Sequence, residues 1–92
     1  MYEYDGIKMW ISFPKGGEEG ILHVHYNWDE TDSTIKEAID VWFKDQFGLE
    51  YFTDYTIGIV GPMGLSRRQK GNTLIIYLRN PEAYAMIKLA EA

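Results

Sequence analysis

Two histidines, His23 and His25, stand one residue apart in a stretch whose apolar and polar residues alternate. On a β-strand this spacing places both imidazoles on one face, with Cα atoms about 7 Å apart, where they can share a zinc or iron ion. A metal-dependent enzyme needs at least one more ligand, for which Asp29 is a candidate. The alternative is that both imidazoles are simply solvated or hydrogen-bonded on the polar side of the strand.

Other catalytic groups are scarce in the sequence. The chain has no cysteine, which excludes disulfides, thiolate metal sites and thiol nucleophiles. No serine stands at a recognisable nucleophile elbow, and Gly61-Pro62-Met63-Gly64 lacks the Lys-Ser or Lys-Thr pair of a phosphate-binding loop. We therefore predict a protein that is not an enzyme and needs no cofactor.

A basic cluster supplies a different candidate site. Arg67, Arg68 and Lys70 lie within residues 61–72, whose three glycines and one proline predict a long loop. Such a loop beside an aromatic sheet face is suited to single-stranded nucleic acid, with phosphates on the loop and bases stacked on rings. The net charge of −5, however, argues against broad attraction to nucleic acid. Nucleic-acid binding is therefore an alternative function.

Exposed aromatic residues indicate a third kind of site. Aromatic residues make up 15% of the chain, and alternation places Trp10 and Tyr77 on the polar faces of their strands. Exposed rings with a charged rim are typical of protein-binding surfaces. We predict that Trp10, His25, Tyr77 and Arg79 bind a protein partner, with the acidic turn at 29–32 as a further docking segment. Three aromatic residues are instead predicted to be core: Trp28, Trp42 and Phe43.

The elements that would carry these residues follow from periodicity. Alternating patterns predict strands at residues 7–13, 21–28, 51–60 and 73–79, and residues 1–6 are predicted to be a frayed lead-in. Apolar residues three and four apart predict a helix that is capped by Asp32, Ser33 or Thr34 and ends at Gly48. Asn80-Pro81-Glu82 predicts the start of a second helix.

The resulting ββαββα order predicts one α+β domain over residues 1–92. Its two hairpins and two amphipathic helices are best satisfied by a four-stranded, mainly antiparallel sheet with both helices on one face. By analogy of topology, this is a ferredoxin-like fold permuted to begin at its second strand. Without a signal peptide or a long apolar segment, we expect a cytoplasmic protein with no membrane contact, either monomeric or homodimeric.

The C-terminal fifth of the chain adds a resemblance. In residues 72–89 a strand pattern runs through Asn80-Pro81 into a helix that finishes in Lys88-Leu89, and this segment resembles the ending of small accessory proteins of tailed bacteriophages. The final Ala90-Glu91-Ala92 departs from the basic and aromatic ending of those proteins. The resemblance implies a viral protein that inhibits a host factor by stoichiometric binding. A bacterial immune complex, blocked in an anti-CRISPR-like manner, is one such factor.

Overall fold

The computed structural model describes residues 1–14, 20–28, 33–59 and 72–91. This part of the chain forms five β-strands, two α-helices and one π-helix. The strands are β1 (Tyr2–Tyr4), β2 (Ile7–Ser12), β3 (Ile21–Tyr26), β4 (Tyr55–Ile59) and β5 (Asn72–Leu78). The helices are α1 (Ser33–Trp42), the π-helix that follows it (Phe43–Phe47), and α2 (Pro81–Glu91).

All five strands form one antiparallel sheet in the order β1-β2-β3-β5-β4. The predicted α+β class and both predicted hairpins, β2–β3 and β4–β5, are confirmed. The chain passes from β3 through α1 to β4, and β5 later fills the position between those two strands. This split arrangement is the one that the ferredoxin-like analogy implies.

A fifth strand, β1, corrects the prediction that residues 1–6 are a frayed lead-in. Asp5 and Gly6 both have positive φ, at 50° and 82°, so they form a tight two-residue turn that pairs β1 with β2. The ring of Tyr2 stacks on Trp42, with centroids 5.4 Å apart and planes within 9°. Because Trp42 is fully buried, this contact joins the first strand to the core.

The core lies between one face of the sheet and both α-helices. Alternate residues of the strands point toward the helices, and their side chains form a single apolar cluster with α1, the π-helix and α2. Trp42 and Phe43 are fully buried, as predicted. Burial of each large side chain of this kind stabilises the fold by about 1.5–3 kcal/mol. The main members of the cluster are Met9, Leu22, Val24, Tyr26, Ile35, Ile39, Trp42, Phe43, Tyr55, Leu74, Ile76 and Ile87.

The helix ends follow local capping chemistry. Gly48 has φ of 68° and ψ of 24°, and its N–H donates to the Lys44 carbonyl at 3.0 Å, which confirms the predicted stop. The side-chain oxygen of Asn80 accepts a hydrogen bond from the Ala83 N–H at 2.6 Å, which confirms the predicted cap of α2. Helix α1 begins at Ser33, while the alternative cap Asp32 lies outside the described residues.

Trp28 was predicted to be core, and this prediction is wrong because 39% of its surface is exposed. Strand β3 ends at Tyr26, and the next residue, Asn27, bonds to β2 through its side chain, whose oxygen accepts from the Lys8 N–H at 2.8 Å. The inward and outward alternation of the strand therefore stops before Trp28.

The predicted strand at 51–60 begins four residues late, at Tyr55, because residues 51–54 form a turn. In this turn Phe52 has φ of 75°, which is incompatible with continued strand pairing.

Neither of the α-helices in the described part of the chain is long and apolar enough to cross a membrane.

Candidate functional site

The face of the sheet opposite the helices, here called the open face, presents three cross-strand rows of side chains. The strand register fixes these rows, since residues directly opposite each other point to the same side of the sheet. The first row contains Trp10, His25 and Thr73; the second contains Ser12, His23, Ile75 and Gly58; the third contains Ile21, Tyr77 and Thr56.

His25 is the centre of a hydrogen-bonded group on this face. Its Nε2 lies 2.6 Å from the Ser12 hydroxyl, and its Nδ1 lies 2.9 Å from the Thr73 hydroxyl. A neutral imidazole has one donor and one acceptor nitrogen, so one hydroxyl donates to the ring and the other accepts from it. Burial, and secondarily the neighbouring His23, lower the pKa of His25, which favours this neutral form.

The Trp10 ring lies over this group. It stacks on His25 with centroids 5.7 Å apart and planes within 19°, yet 41% of the Trp10 surface stays exposed. Hydrogen bonds on both nitrogens fix the orientation of the imidazole, so the indole ring of Trp10 packs on an oriented side chain. The exposure of Trp10 confirms the prediction that it lies on the face away from the core, and the stacking shows that its ring packs on His25.

His23 and His25 meet edge to face, with centroids 6.2 Å apart and planes at 75°. Both nitrogens of His25 are already bonded to hydroxyls, so a metal ion would have to replace one of these bonds. The proposed third ligand, Asp29, lies outside the described residues. Within the described ranges there is no group of three or more His, Cys, Asp or Glu residues placed to hold a metal ion.

Tyr77 occupies the opposite corner of the open face, with 43% of its surface exposed. Its ring lies directly over Gly58: a Cβ built on that glycine would be only 2.7 Å from Tyr77 Cε2. Only β3 lies between the strands of Trp10 and Tyr77, and the two residues are offset by four positions along β5, which places their Cα atoms about 16 Å apart. The half-buried side chains of His23 and Ile75 lie between them.

Arg79 was predicted to belong to the same surface, but β5 ends at Leu78 and the guanidinium of Arg79 contacts the turn at 51–54 instead. Its Nη1 donates to the Phe52 carbonyl at 2.8 Å, and its Cζ lies 5.8 Å from the centre of the Phe52 ring. Arg79 therefore belongs to a corner formed with Phe52. The basic residues of the alternative site, Arg67, Arg68 and Lys70, lie outside the described residues, as does the acidic turn at 29–32.

Three residues that contribute to these surfaces were not predicted as site residues from the sequence. Ser12 and Thr73 orient His25, but alternation shows only that they face outward, and their contact with His25 depends on the register of three strands. Phe52 was placed in a strand, although its neighbours Thr53 and Asp54 are residues that favour turns. We find no family model, curated protein or solved structure that matches this chain.

Proposed function

We propose that this chain is a non-enzymatic binding protein whose open face docks on a partner protein. One observation carries the proposal: Trp10 and Tyr77 are 41% and 43% exposed on a sheet face that neither helix covers. Exposed aromatic residues of this size contribute disproportionately to protein interfaces, because their burial gains much area and freezes few torsions.

Both rings pack on groups of the sheet itself, without any partner. Trp10 stacks on an imidazole whose two nitrogens are bonded to the Ser12 and Thr73 hydroxyls, and the Tyr77 ring packs over Gly58. Ordering a free side chain at an interface costs about 0.5–1.5 kcal/mol, and a ring that is already ordered avoids much of this cost. The open face is therefore suited to stoichiometric binding.

The charge of the described open face favours a protein over a nucleic acid. Lys8 lies on the same side of β2 as Trp10 and stands opposite Glu3 of β1, so the positive charge that it adds to the open face has an acidic neighbour. The chain as a whole carries a net charge of −5, which repels a phosphate backbone. The stacked, exposed Trp10 ring is the feature that supports the alternative, single-stranded nucleic acid, because bases stack on such rings.

For the identity of the partner, support comes from the resemblance of residues 72–89 to accessory proteins of tailed bacteriophages. On this basis we propose that the partner is a host factor, such as a bacterial immune complex, and that the open face inhibits it by occupying a surface that it needs. Such a mechanism requires no catalytic group and no cofactor, only an affinity high enough for one-to-one binding at cellular concentrations.

Affinity capture from a bacterial lysate tests this proposal, with and without nuclease. Three proteins are compared: the unchanged chain, the Trp10→Ala/Tyr77→Ala variant, and the control Leu89→Ala, which removes an 84% exposed side chain from α2. We expect a protein retained after nuclease by the unchanged chain and the control, and lost with the double variant. Retention of nucleic acid alone, which nuclease abolishes, would favour the alternative function.

The double variant must also remain folded. Because both rings are substantially exposed, we expect its free energy of unfolding to stay within about 1 kcal/mol of that of the unchanged protein. Urea unfolding measures this directly. A loss of several kcal/mol would mean that the two rings serve mainly to hold the sheet together, and the binding result could then not be assigned to the surface.

A further inference from the structure

Phe52 combines two features that a folded protein seldom combines. Its backbone has φ of 75°, in the left-handed region that side chains other than glycine, asparagine and aspartate rarely adopt. The residue is also 64% exposed, so burial of its side chain contributes little to the core. This backbone conformation destabilises the fold, and packing of the Phe52 ring offsets little of that destabilisation.

The turn around Phe52 is nevertheless held by several hydrogen bonds. Glu50 and Asp54 bond each other twice: the Asp54 N–H donates to the Glu50 carbonyl at 2.9 Å, and the Glu50 N–H donates to the Asp54 carboxylate at 2.9 Å. The Phe52 N–H donates to the Tyr55 carbonyl at 2.7 Å, while Arg79 Nη1 donates to the Phe52 carbonyl at 2.8 Å. Phe52 is thus fixed in a strained position by groups on both sides.

From this geometry we propose that Phe52, braced by Arg79, is an anchor that inserts into an apolar pocket of a partner protein. Strain that the surroundings maintain is found most often at functional sites. A rigid exposed aromatic residue beside an arginine is the composition found at the centres of protein interfaces. The proposal concerns the turn at 51–54 and does not depend on whether the open face binds the same partner.

The chemistry of the turn defines the partner. The Phe52 side chain is exposed at the surface, and Tyr51, 47% exposed, meets it edge to face with centroids 5.9 Å apart. Burying these rings needs a concave apolar pocket. Arg79 keeps a cation 5.8 Å from the ring centre, so a carboxylate at the pocket rim complements it. Glu50 and Asp54 belong to the same turn and disfavour a polyanion such as nucleic acid.

The first arm of the test asks whether folding needs the ring. Phe52→Gly relieves the positive φ, so we expect its urea midpoint to equal or exceed that of the unchanged protein. The matched control is Tyr51→Gly, which removes a neighbouring ring from a residue whose φ is not positive, and we expect its midpoint to fall. An equal fall in both variants would overturn the proposal, because Phe52 would then be an ordinary packing residue.

The second arm tests the pocket. The photoreactive residue p-benzoylphenylalanine replaces Phe52 in one protein and Leu89, also exposed, in the control. After irradiation in bacterial lysate we expect one discrete protein adduct from position 52 only. The unchanged protein, added as a competitor without the photoreactive residue, should reduce the amount of this adduct. It should do so at a concentration at least tenfold lower than the Phe52→Gly protein needs, with and without nuclease. The proposal would be overturned if no adduct formed, if positions 52 and 89 were labelled equally, or if nuclease removed the adduct. It would also be overturned if the unchanged protein and the Phe52→Gly protein competed equally well.

Discussion

Gly58 and Tyr77 allow a direct test of how the open face is built. The proposed change is Gly58→Ala, made both in the unchanged chain and in a Tyr77→Ala chain. In the unchanged chain the new Cβ would lie 2.7 Å from Tyr77 Cε2, and its other near neighbours, both at 3.5 Å, are also atoms of Tyr77. Non-bonded carbon atoms rest about 3.5–4.0 Å apart, so the ring must move by about 1 Å.

The size of the effect follows from two opposing contributions. Gly58 does not have a positive φ, and alanine inside a strand is more favourable than glycine by about 0.5–1 kcal/mol. In the unchanged chain this gain is offset by displacement of the Tyr77 ring. In the Tyr77→Ala chain nothing offsets it, so there the substitution should be stabilising. We expect a coupling between the two positions of about 1 kcal/mol.

Urea unfolding followed by tryptophan fluorescence measures the four free energies of this cycle. Gly58→Ala should leave the unchanged protein equally or less stable and should raise the urea midpoint of the Tyr77→Ala protein. The same change in both backgrounds would refute the position assigned to the Tyr77 ring. It would also remove the argument that this ring is ordered before a partner binds.

Two further predictions concern pH. Burial, with a contribution from His23, lowers the pKa of His25 below its ordinary 6.5, so folding favours the neutral imidazole and stability should fall as the pH drops below 6.5. Urea unfolding should show this loss of stability in the unchanged protein and a smaller loss in His25→Gln. An equal loss in both proteins would mean that His25 is not the group responsible. Burial, and secondarily a hydrogen bond to Asp40, raise the pKa of Tyr55 above its ordinary 10.0, so stability should persist up to that pH and decline above it. Tyr55→Phe should reduce this loss of stability at alkaline pH and should lower the free energy of unfolding at neutral pH by about 1–2 kcal/mol. If the alkaline loss is unchanged in the variant, groups other than Tyr55 cause it.

Periodicity predicted the central strands because each of them has one buried face. In β3, Leu22, Val24 and Tyr26 are buried while the residues between them are half-buried, which is the pattern that alternation describes. The same physics predicted both helices, the start of α2 and the stop at Gly48, since an Asn-Pro start and a glycine stop act locally. Most of the fold was therefore predictable from interactions between near neighbours in the chain.

The site was less predictable because it depends on register and on a strained turn. The contacts of His25 with Ser12 and Thr73 require three strands to align to the residue, and alternation does not determine that alignment. Phe52 was missed because a phenylalanine gives no local indication of positive φ, which here is imposed by Arg79 and other hydrogen-bonding neighbours. The missed strand β1 was predictable, since Asp5-Gly6 is a typical hairpin turn.

The position of β5 has a consequence for the order in which the chain folds. Because β5 lies between β3 and β4, Tyr26 pairs with Asn72 and Ile21 with Tyr77. Bringing residues so far apart in the sequence together loses chain entropy before the contacts between them form. The pairing of β5 with β3 should therefore be a late and slow step in folding. A nascent chain that has not yet reached β5 can pair β1, β2 and β3, but β4 has no neighbouring strand to join. The complete open face therefore forms only after nearly all of these residues have been synthesised.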